Sequence, residues 1–396
     1  MRIAYLIGQY PAINHGYLLR EVQQLRQFGV EVSVASVNGP DRPPDKLSPE
    51  EKEAAANAFC VKAEPLSRVI AAHCRTFFTR PGSYFRGLWI ALRTGGLRWL
   101  LYFAEAIVVG RWMERQGLRH LHVSFSGHVG MLTREVFPIR ASLAVYGYGE
   151  LAAQDSRTFV RIVSSMTFVR CISRHSRSMV MLACAPRLWD RIVASPLGID
   201  TAAIQPAPFR EHPQPFTLTY VGRLAPEKGQ GLLLEAVARL RVAGYDVRVR
   251  LVGDGPDRTA LENQAARDSI QNAVIFEGYV SEERLAACYQ ETDAFVLTSL
   301  YEGIPMVLME AMAMQIACVA PRITGIPELI EDGISGLLFH PADGEDLVRT
   351  LTRLMGDPAL RRSLGKNGRR RISAMYDSLR NTEAFARILH ERVVDH

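Results

Sequence analysis

A short apolar run, a loop containing glycine, a stretch with helical spacing and a second apolar run follow one another in each half of this chain, and that order leaves few folds open. Near the start, Ile3–Ile7 leads into the loop Gly8–Gly16. Residues 17–28 come next, with Leu18, Val22, Leu25 and Phe28 on one helical face, and Gly29 and the run Val30–Val37 close the unit. In the second half, Thr217–Val221 leads into Gly222–Gly229, a helical stretch over 230–243 and the run Val247–Val252. Runs that are apolar throughout belong to strands buried on both faces, and joining them through helices gives parallel sheets. Further runs at Leu118–Phe125, Ala141–Tyr146, Val169–Ser173, Val274–Glu277 and Ala317–Ala320 extend the pattern. The segment 201–215 holds Pro206, Pro208, Pro213 and Pro215 and reads as a linker. An α/β chain of 396 residues, with a break near its middle, is predicted to form two doubly wound domains.

Composition narrows the classes of function. Hydrophobic residues make up 48% and charged residues 22%, and mean hydropathy is 0.00. These values fit a globular chain and argue against a polytopic membrane protein. The six cysteines are scattered with no Cys-x-x-Cys pair, so reduced thiols are expected rather than a zinc site or disulfide framework. Met1–Gly8 reads as a first strand and not as a secretory signal. The net charge of +6 suits phosphates or an anionic membrane surface. No zinc finger, basic zipper or aromatic–basic RNA signature accompanies it, so no nucleic acid partner is expected. Residues 84–113 interleave Trp89, Trp99, Tyr102, Phe103 and Trp112 with Arg86, Arg93, Arg98 and Arg111. Glu105 breaks the apolar run, which is too short to span a bilayer. Two readings stand: a pair of core-packed helices, or a basic aromatic helix lying on a membrane surface.

The most informative stretch is Leu297–Ala313. A strand end, Ala294–Leu297, turns through Ser, Glu, Gly and Pro into a helical segment from Met306. That geometry sets a helix N-terminus over the carboxyl edge of a sheet, where free N–H groups attract anions. Glu302 and Glu310 bracket the turn. Solvated charges would explain both, but Glu310 lies among Val307, Leu308, Met309, Ala311 and Met312, where a carboxylate without a ligand is costly. The loop Gly222–Gly229 carries Arg223 and Lys228 five residues apart. It reads either as a solvated basic loop or as a clamp for a diphosphate, Arg bonding two oxygens and Lys acting as a mobile point charge. Gly8–Gly16 is not a Gly-x-Gly-x-x-Gly fingerprint, so no nicotinamide cofactor is expected.

In order, Pro196–Asp200, Val221–Gly229, Leu251–Pro256, Phe276–Ser281, Glu302–Glu310 and Gly325–Ile330 resemble the retaining glycosyltransferases of family 4, glycosyl transferases group 1, with GT-B architecture. Tyr10–Asn14 and Leu19–Val22 look like the opening of members that build exopolysaccharides. The resemblance implies two Rossmann-like domains facing across a cleft: an acceptor-side domain over 1–197, a nucleotide-sugar domain over 198–375, and a terminal helix, 376–396, packing back toward the first. It implies that Arg223 and Lys228 hold the diphosphate and stabilise the leaving group. Glu302 would contact the transferred sugar, beside Gly303, Ile304 and Pro305, and Glu310 would bind the ribose. Gly278, Tyr279 and Val280 would line the base pocket, while Gly8 and Gly222 would let their loops approach the donor. No Asp-x-Asp motif occurs, which agrees with the family's independence of metal; no cofactor is expected.

The function so implied is a retaining, metal-independent hexosyltransferase. It would use a UDP- or GDP-sugar and a surface polysaccharide, lipid-linked glycan or glycolipid as acceptor, in the cytoplasm or on the inner face of the cell membrane. One departure stands out. Many members carry His-Gly-x-Asp where this chain has Tyr146-Gly147-Tyr148-Gly149-Glu150, so Tyr146 replaces an acceptor-site His, with His122 and His128 as substitutes. A non-catalytic sugar-nucleotide sensor or scaffold is the alternative; a sugar-nucleotide epimerase fits the second-half motifs less well.

Overall fold

The computed structural model describes residues 1–147 and 156–394. Tyr148, Gly149 and Glu150 lie outside the described residues. The chain divides into two compact units, one of 1–197 with 379–396 and one of 198–378.

The first unit is built on seven parallel strands: β1 (Arg2–Gln9), β2 (Glu31–Asn38), β3 (Phe59–Cys60), β4 (His120–Ser124), β5 (Arg140–Val145), β6 (Val169–Cys171) and β7 (Ile192–Ala194). Their spatial order is β3-β2-β1-β4-β5-β6-β7. Ile3 to Ile7 are wholly buried, as a central strand covered on both faces requires. Helix α1 (Gly16–Gln27) buries Leu18, Val22 and Leu25, and Gly29 turns the chain out of it at φ +76°. Helices α2 (Pro49–Asn57), α3 (Leu66–Thr79), α4 (Pro81–Gln116) and α5 (Gly127–Val136) follow.

The long α4 is two helices in one. Gly95 and Gly96 leave helical geometry at its middle, and Gly96 adopts φ +65°, which other residues resist. The C-terminal half buries Trp99, Phe103, Ile107, Val109 and Trp112. The N-terminal half leaves Trp89 and Leu92 exposed. The core-packed reading of 84–113 thus holds for its second half, and the first half presents aromatic side chains to solvent. Phe137 packs against Gly110 so closely that a Cβ there would come within 2.1 Å of the ring.

A buried ionic cluster ties this unit together. Glu21 on α1 accepts from the Tyr5 hydroxyl at 2.5 Å and from Arg170 Nη1 of β6 at 2.5 Å. The Arg170 guanidinium lies 3.8 Å from the ring centre of Phe385, in the terminal segment that belongs to this unit.

The second unit has six parallel strands: β8 (Phe216–Val221), β9 (Val247–Val252), β10 (Val274–Gly278), β11 (Ala294–Val296), β12 (Ala317–Pro321) and β13 (Leu337–Phe339). Their order is β10-β9-β8-β11-β12-β13. The proline-rich segment 201–215 is not a free linker. The Ala207 N–H donates to Met314 O at 2.7 Å, Arg210 pairs with Asp293, and Arg361 Nη2 donates to the carbonyls of Arg210 and Glu211 at 2.7 and 2.8 Å. Its prolines mark an extended strap whose polar groups are met by the second unit. Among the described residues, no helix is long and apolar enough to cross a membrane.

Candidate functional site

In the second unit, β8 has β9 on one side and β11 on the other, so the chain reverses its winding direction at β8. Loops leaving the carboxyl ends of β8 and β11 therefore diverge to opposite faces and open a crevice between them. The loop after β8 carries Gly222, Arg223 and Lys228. The loop after β11 carries Glu302 to Pro305 and passes into the helix Met306–Ala313.

The two loops are stitched together. The Leu300 N–H donates to Glu227 O at 2.8 Å, and Thr298 Oγ1 donates to Lys228 O at 3.3 Å. Gly229, at φ +62°, approaches so near that a Cβ would stand 2.3 Å from Thr298 O. No other residue satisfies both the left-handed backbone and that contact. This brings Lys228 Nζ to 2.7 Å from Glu302 Oε1, with both side chains largely shielded. Ser299 Oγ donates to the same oxygen at 2.7 Å. Both bonds fall on Oε1, so among the described residues Oε2 keeps its capacity to accept from a ligand hydroxyl. Arg223 is exposed on the same loop, and its carbonyl is held by Gln230 Nε2 at 2.7 Å.

Glu310 sits on the inner side of the following helix. Tyr289 donates its hydroxyl to Glu310 Oε2 at 3.0 Å. Burial, with the Glu310 carboxylate beside it, pushes the Tyr289 phenol well above its ordinary value, so it stays a donor. Tyr220, buried in β8, is likewise raised by burial, with the charge of Glu302 adding to the effect. Gly278 adopts φ +70° at the end of β10. Tyr279 is 69% exposed, and Val280 follows it half-buried. Ile304 and Pro305 are buried, Gly303 half-buried. The sequence did not single out Ser299, Tyr289 or Tyr220 as supports. Their spacing from the glutamates carries no signal, because the contacts cross between neighbouring loops and helices.

The first unit also reverses its winding, at β1, which lies between β2 and β4. At that edge Asn38 Nδ2 donates to Gly8 O at 2.7 Å, and Lys62 Nζ donates to Asn38 Oδ1 at 2.8 Å. A Cβ on Gly8 would meet Phe125 Cβ at 3.3 Å, so the glycine lets the first loop lie against the β4–α5 loop. A cavity of about 720 Å³ opens here, with His128, Tyr102 and Glu105 in its wall. His128 stacks on Tyr102 at 5.0 Å, and Trp99 meets it edge-on at 5.0 Å. Burial and the neighbouring Arg98 push its imidazole down to about 4.

The two remaining first-unit candidates are placed differently. His122 is wholly buried on β4, packed against Tyr5 and Phe385, with Nδ1 2.8 Å from Ser142 Oγ. It offers no surface to an acceptor; the alternation His120-Leu121-His122 belongs to a covered strand. Tyr146 is also buried. Its hydroxyl lies 3.0 Å from Ser124 Oγ, and its ring stacks on Phe125 at 4.4 Å. Among the described residues, no group of three or more His, Cys, Asp or Glu side chains is placed to hold a metal ion.

Comparison with known proteins agrees with this layout. The glycosyl transferases group 1 family matches residues 203–371. The putative colanic acid biosynthesis glycosyltransferase WcaL of Escherichia coli (strain K12) is 24% identical over 366 residues, covering 89% of this chain and 90% of its own. Among solved structures, sucrose-phosphate synthase from Thermosynechococcus elongatus superposes with a TM-score of 0.75 at 20% identity, covering all of both chains. Anabaena Alr3699/HepE in complex with UDP gives a TM-score of 0.76 at 17% identity, covering 99% of this chain and all of its own. These neighbours establish the GT-B fold. Lys228, Glu302 and Glu310 all lie inside residues 203–371, which form a glycosyl transferases group 1 domain, and a relative that covers most of this chain is named as a glycosyltransferase.

Proposed function

We propose that this enzyme moves a hexosyl group from a UDP- or GDP-sugar to a surface polysaccharide, a lipid-linked glycan or a glycolipid, with retention of configuration and without a metal ion. The observation that carries the reading is the Lys228–Glu302 pair, held at the switch point of the second unit by the Ser299 hydroxyl. Lys228 and the exposed Arg223 supply the positive charge that a departing nucleoside diphosphate needs. Glu302 accepts from hydroxyls of the transferred sugar, and Glu310, oriented by Tyr289, accepts from the ribose. The anomeric C–O bond breaks with its electron pair going to the diphosphate. The acceptor oxygen bonds to the same face, and its proton leaves with the diphosphate. Support for the donor and acceptor classes comes from the names of similar proteins: colanic acid biosynthesis for WcaL, and a bound UDP for HepE.

The reading includes a membrane surface. Nine of the nineteen large apolar side chains that stand exposed among the described residues lie between Leu66 and Leu101, on α3 and α4. They include Phe78 at 78%, Trp89 at 54% and Leu97 at 76% exposure. Arg93 stacks on Trp89 at 4.8 Å and Arg98 on Tyr102 at 5.6 Å. Apolar side chains interleaved with arginine suit the boundary of an anionic bilayer.

The test is a thermal-shift screen against UDP-, GDP-, ADP- and CMP-sugars, with nucleotide release followed in the same wells and repeated in EDTA. Stabilisation and EDTA-resistant release with a UDP- or GDP-sugar is expected, and the coupling constant of the product's anomeric proton then reports retention. Release that needs added magnesium overturns the metal-independent part. Stabilisation without release, even with membrane extract as acceptor, favours a non-catalytic sugar-nucleotide sensor. The buried, hydrogen-bonded Tyr146 is the observation on that side.

A further inference from the structure

The cavity at the carboxyl edge of the first unit contains chemistry that the donor reading does not use. Glu105 projects from α4, a helix that buries Phe103, Ala106 and Ile107 on either side of it. Its Oε2 is buried and has no hydrogen-bond partner. The nearest cation, Lys62 Nζ, stands 3.8 Å from the other oxygen, so burial still raises the Glu105 carboxyl above its ordinary value. A buried carboxylate oxygen without a donor is costly, and a ligand hydroxyl or amide N–H supplies what is missing. Beside it stand the stacked rings of Tyr102 and His128. An aromatic face next to a hydrogen-bond acceptor fits a sugar ring, which offers C–H groups on its face and hydroxyls on its edge.

The rim has a different character. Arg98 and Lys62 both reach the cavity, as does Leu101, which is 58% exposed. Leu97, one turn before Leu101 on α4, is among the exposed apolar side chains described above. One helix therefore turns Tyr102 and Glu105 toward the cavity and Leu97 and Leu101 toward solvent. A ligand seated here meets, in sequence, an interior of rings with one carboxylate, two cations and an apolar outer surface. A second copy of this chain is a poor occupant of that surface, because it would set like-charged arginines against each other.

We infer that this cavity binds the head of a glycosylated lipid phosphate, with the sugar against Tyr102, His128 and Glu105, the phosphate at Arg98 and Lys62, and the lipid along the exposed faces of α3 and α4. This acceptor class deepens the transferase reading and rests on it: of the three acceptors named there, it selects the lipid-linked one.

The test is calorimetric and needs no turnover. The probes are glucosyl, galactosyl, mannosyl and N-acetylglucosaminyl dodecyl phosphates below micelle formation, with dodecyl phosphate and the four free sugar 1-phosphates as controls. At least one glycosylated probe is expected to bind about tenfold more tightly than both dodecyl phosphate and its own sugar 1-phosphate. Glu105→Gln, which keeps the shape of the side chain, and Tyr102→Leu, which keeps apolar volume, are expected to erase the sugar increment while dodecyl phosphate binds as before. Arg98→Ser is expected to weaken every phosphate probe, and more so at low salt. Equal binding of dodecyl phosphate with and without sugar overturns the inference, as does no binding by any glycosylated probe, or an increment that survives both cavity variants. UDP-sugar binding by the wild-type protein is measured alongside. Nucleotide binding without glycolipid binding sinks this inference alone, and the reverse sinks the donor reading instead.

Discussion

The two units solve one topological problem with different chemistry. Each places a crevice where its parallel sheet reverses winding direction, at β1 in the first and β8 in the second. In the second unit the crevice is lined with full charges, Arg223, Lys228, Glu302 and Glu310, carried by two loops and the start of one helix. In the first, rings and an imidazole kept neutral by burial make up much of the wall, and the charges, Glu105, Arg98 and Lys62, stand among them. The difference teaches how the load is divided. A charged partner needs counter-charge fixed in place before it arrives. A sugar or an apolar tail needs shape, rings and a few directed acceptors. A separate interior charge pair in the first unit, Glu21 on α1 with Arg170 on β6, serves architecture.

That contrast can be broken most forcefully through Glu21. Glu21→Ala strands the Arg170 guanidinium in a site where it is 1% exposed. Removing one partner of a buried pair costs roughly 3–5 kcal/mol. Denaturant unfolding followed by fluorescence should show the first unit's transition moving early while the second unit's stays in place. A loss below about 1 kcal/mol would mean the pair is not structural, and a joint shift of both transitions would mean the units unfold as one.

In the second unit the corresponding cut falls on function. Lys228→Ala is expected to lower kcat/KM by the equivalent of roughly 2–4 kcal/mol, because charge on the leaving group develops only in the transition state. A change under about threefold removes Lys228 from the leaving-group clamp. Glu310→Ala should act on donor binding, raising donor KM by roughly ten- to a hundredfold for the loss of charged hydrogen bonds. Wild-type KM in that variant would show the ribose assignment to be wrong. Melting temperature should barely move in either, which separates them from the Glu21 variant.

The same contrast explains what could be read from the chain alone. The second unit's site is local in sequence. Gly222 to Gly229 and Glu302 to Glu310 are unbroken segments in loops that follow strands, so the chain alone marks both as candidates, and the fold brings Lys228 and Glu302 together. The first unit's cavity draws on Gly8, Asn38, Lys62, Arg98 to Glu105 and Phe125 to His128, five separate stretches with no spacing to join them. Glu105 was visible only as an interruption in an apolar run. His122 looked available because Ser142 and Phe385, which enclose it, arrive from distant parts of the chain. The prolines of 201–215 signalled extended backbone correctly, but the partners that strap it down, Met314 and Arg361, lie over a hundred residues on.

Acid should separate the units most gently. His120, pushed down to about 3 by burial and Arg140, and His128, pushed down to about 4 by burial and Arg98, both belong to the first unit. His122 is lowered further in direction by burial, with Arg170 and His120 adding to it. In the folded unit these rings stay neutral as pH falls below the ordinary histidine value of about 6.5, while in the unfolded chain they take up protons. The unfolded state therefore binds more protons between about pH 6.5 and 4, and the first unit loses stability across that window. Glu105, raised by burial, works in the opposite direction and trims the effect. The second unit has no such histidines among its described residues with resolved shifts. Its Asp346, drawn down to about 2 by the His340 N–H and further by the His340 ring and Arg349, gives up its contribution only as pH falls below the ordinary Asp value toward 2. Between pH 7 and 4.5 the first unit's melting temperature should fall by on the order of 5 °C or more, with the second unit's nearly fixed. His128→Gln should flatten part of that slope without touching the second transition. A slope unchanged by His128→Gln would show that this ring is already solvated in the folded protein, and would make the cavity wetter than its geometry implies.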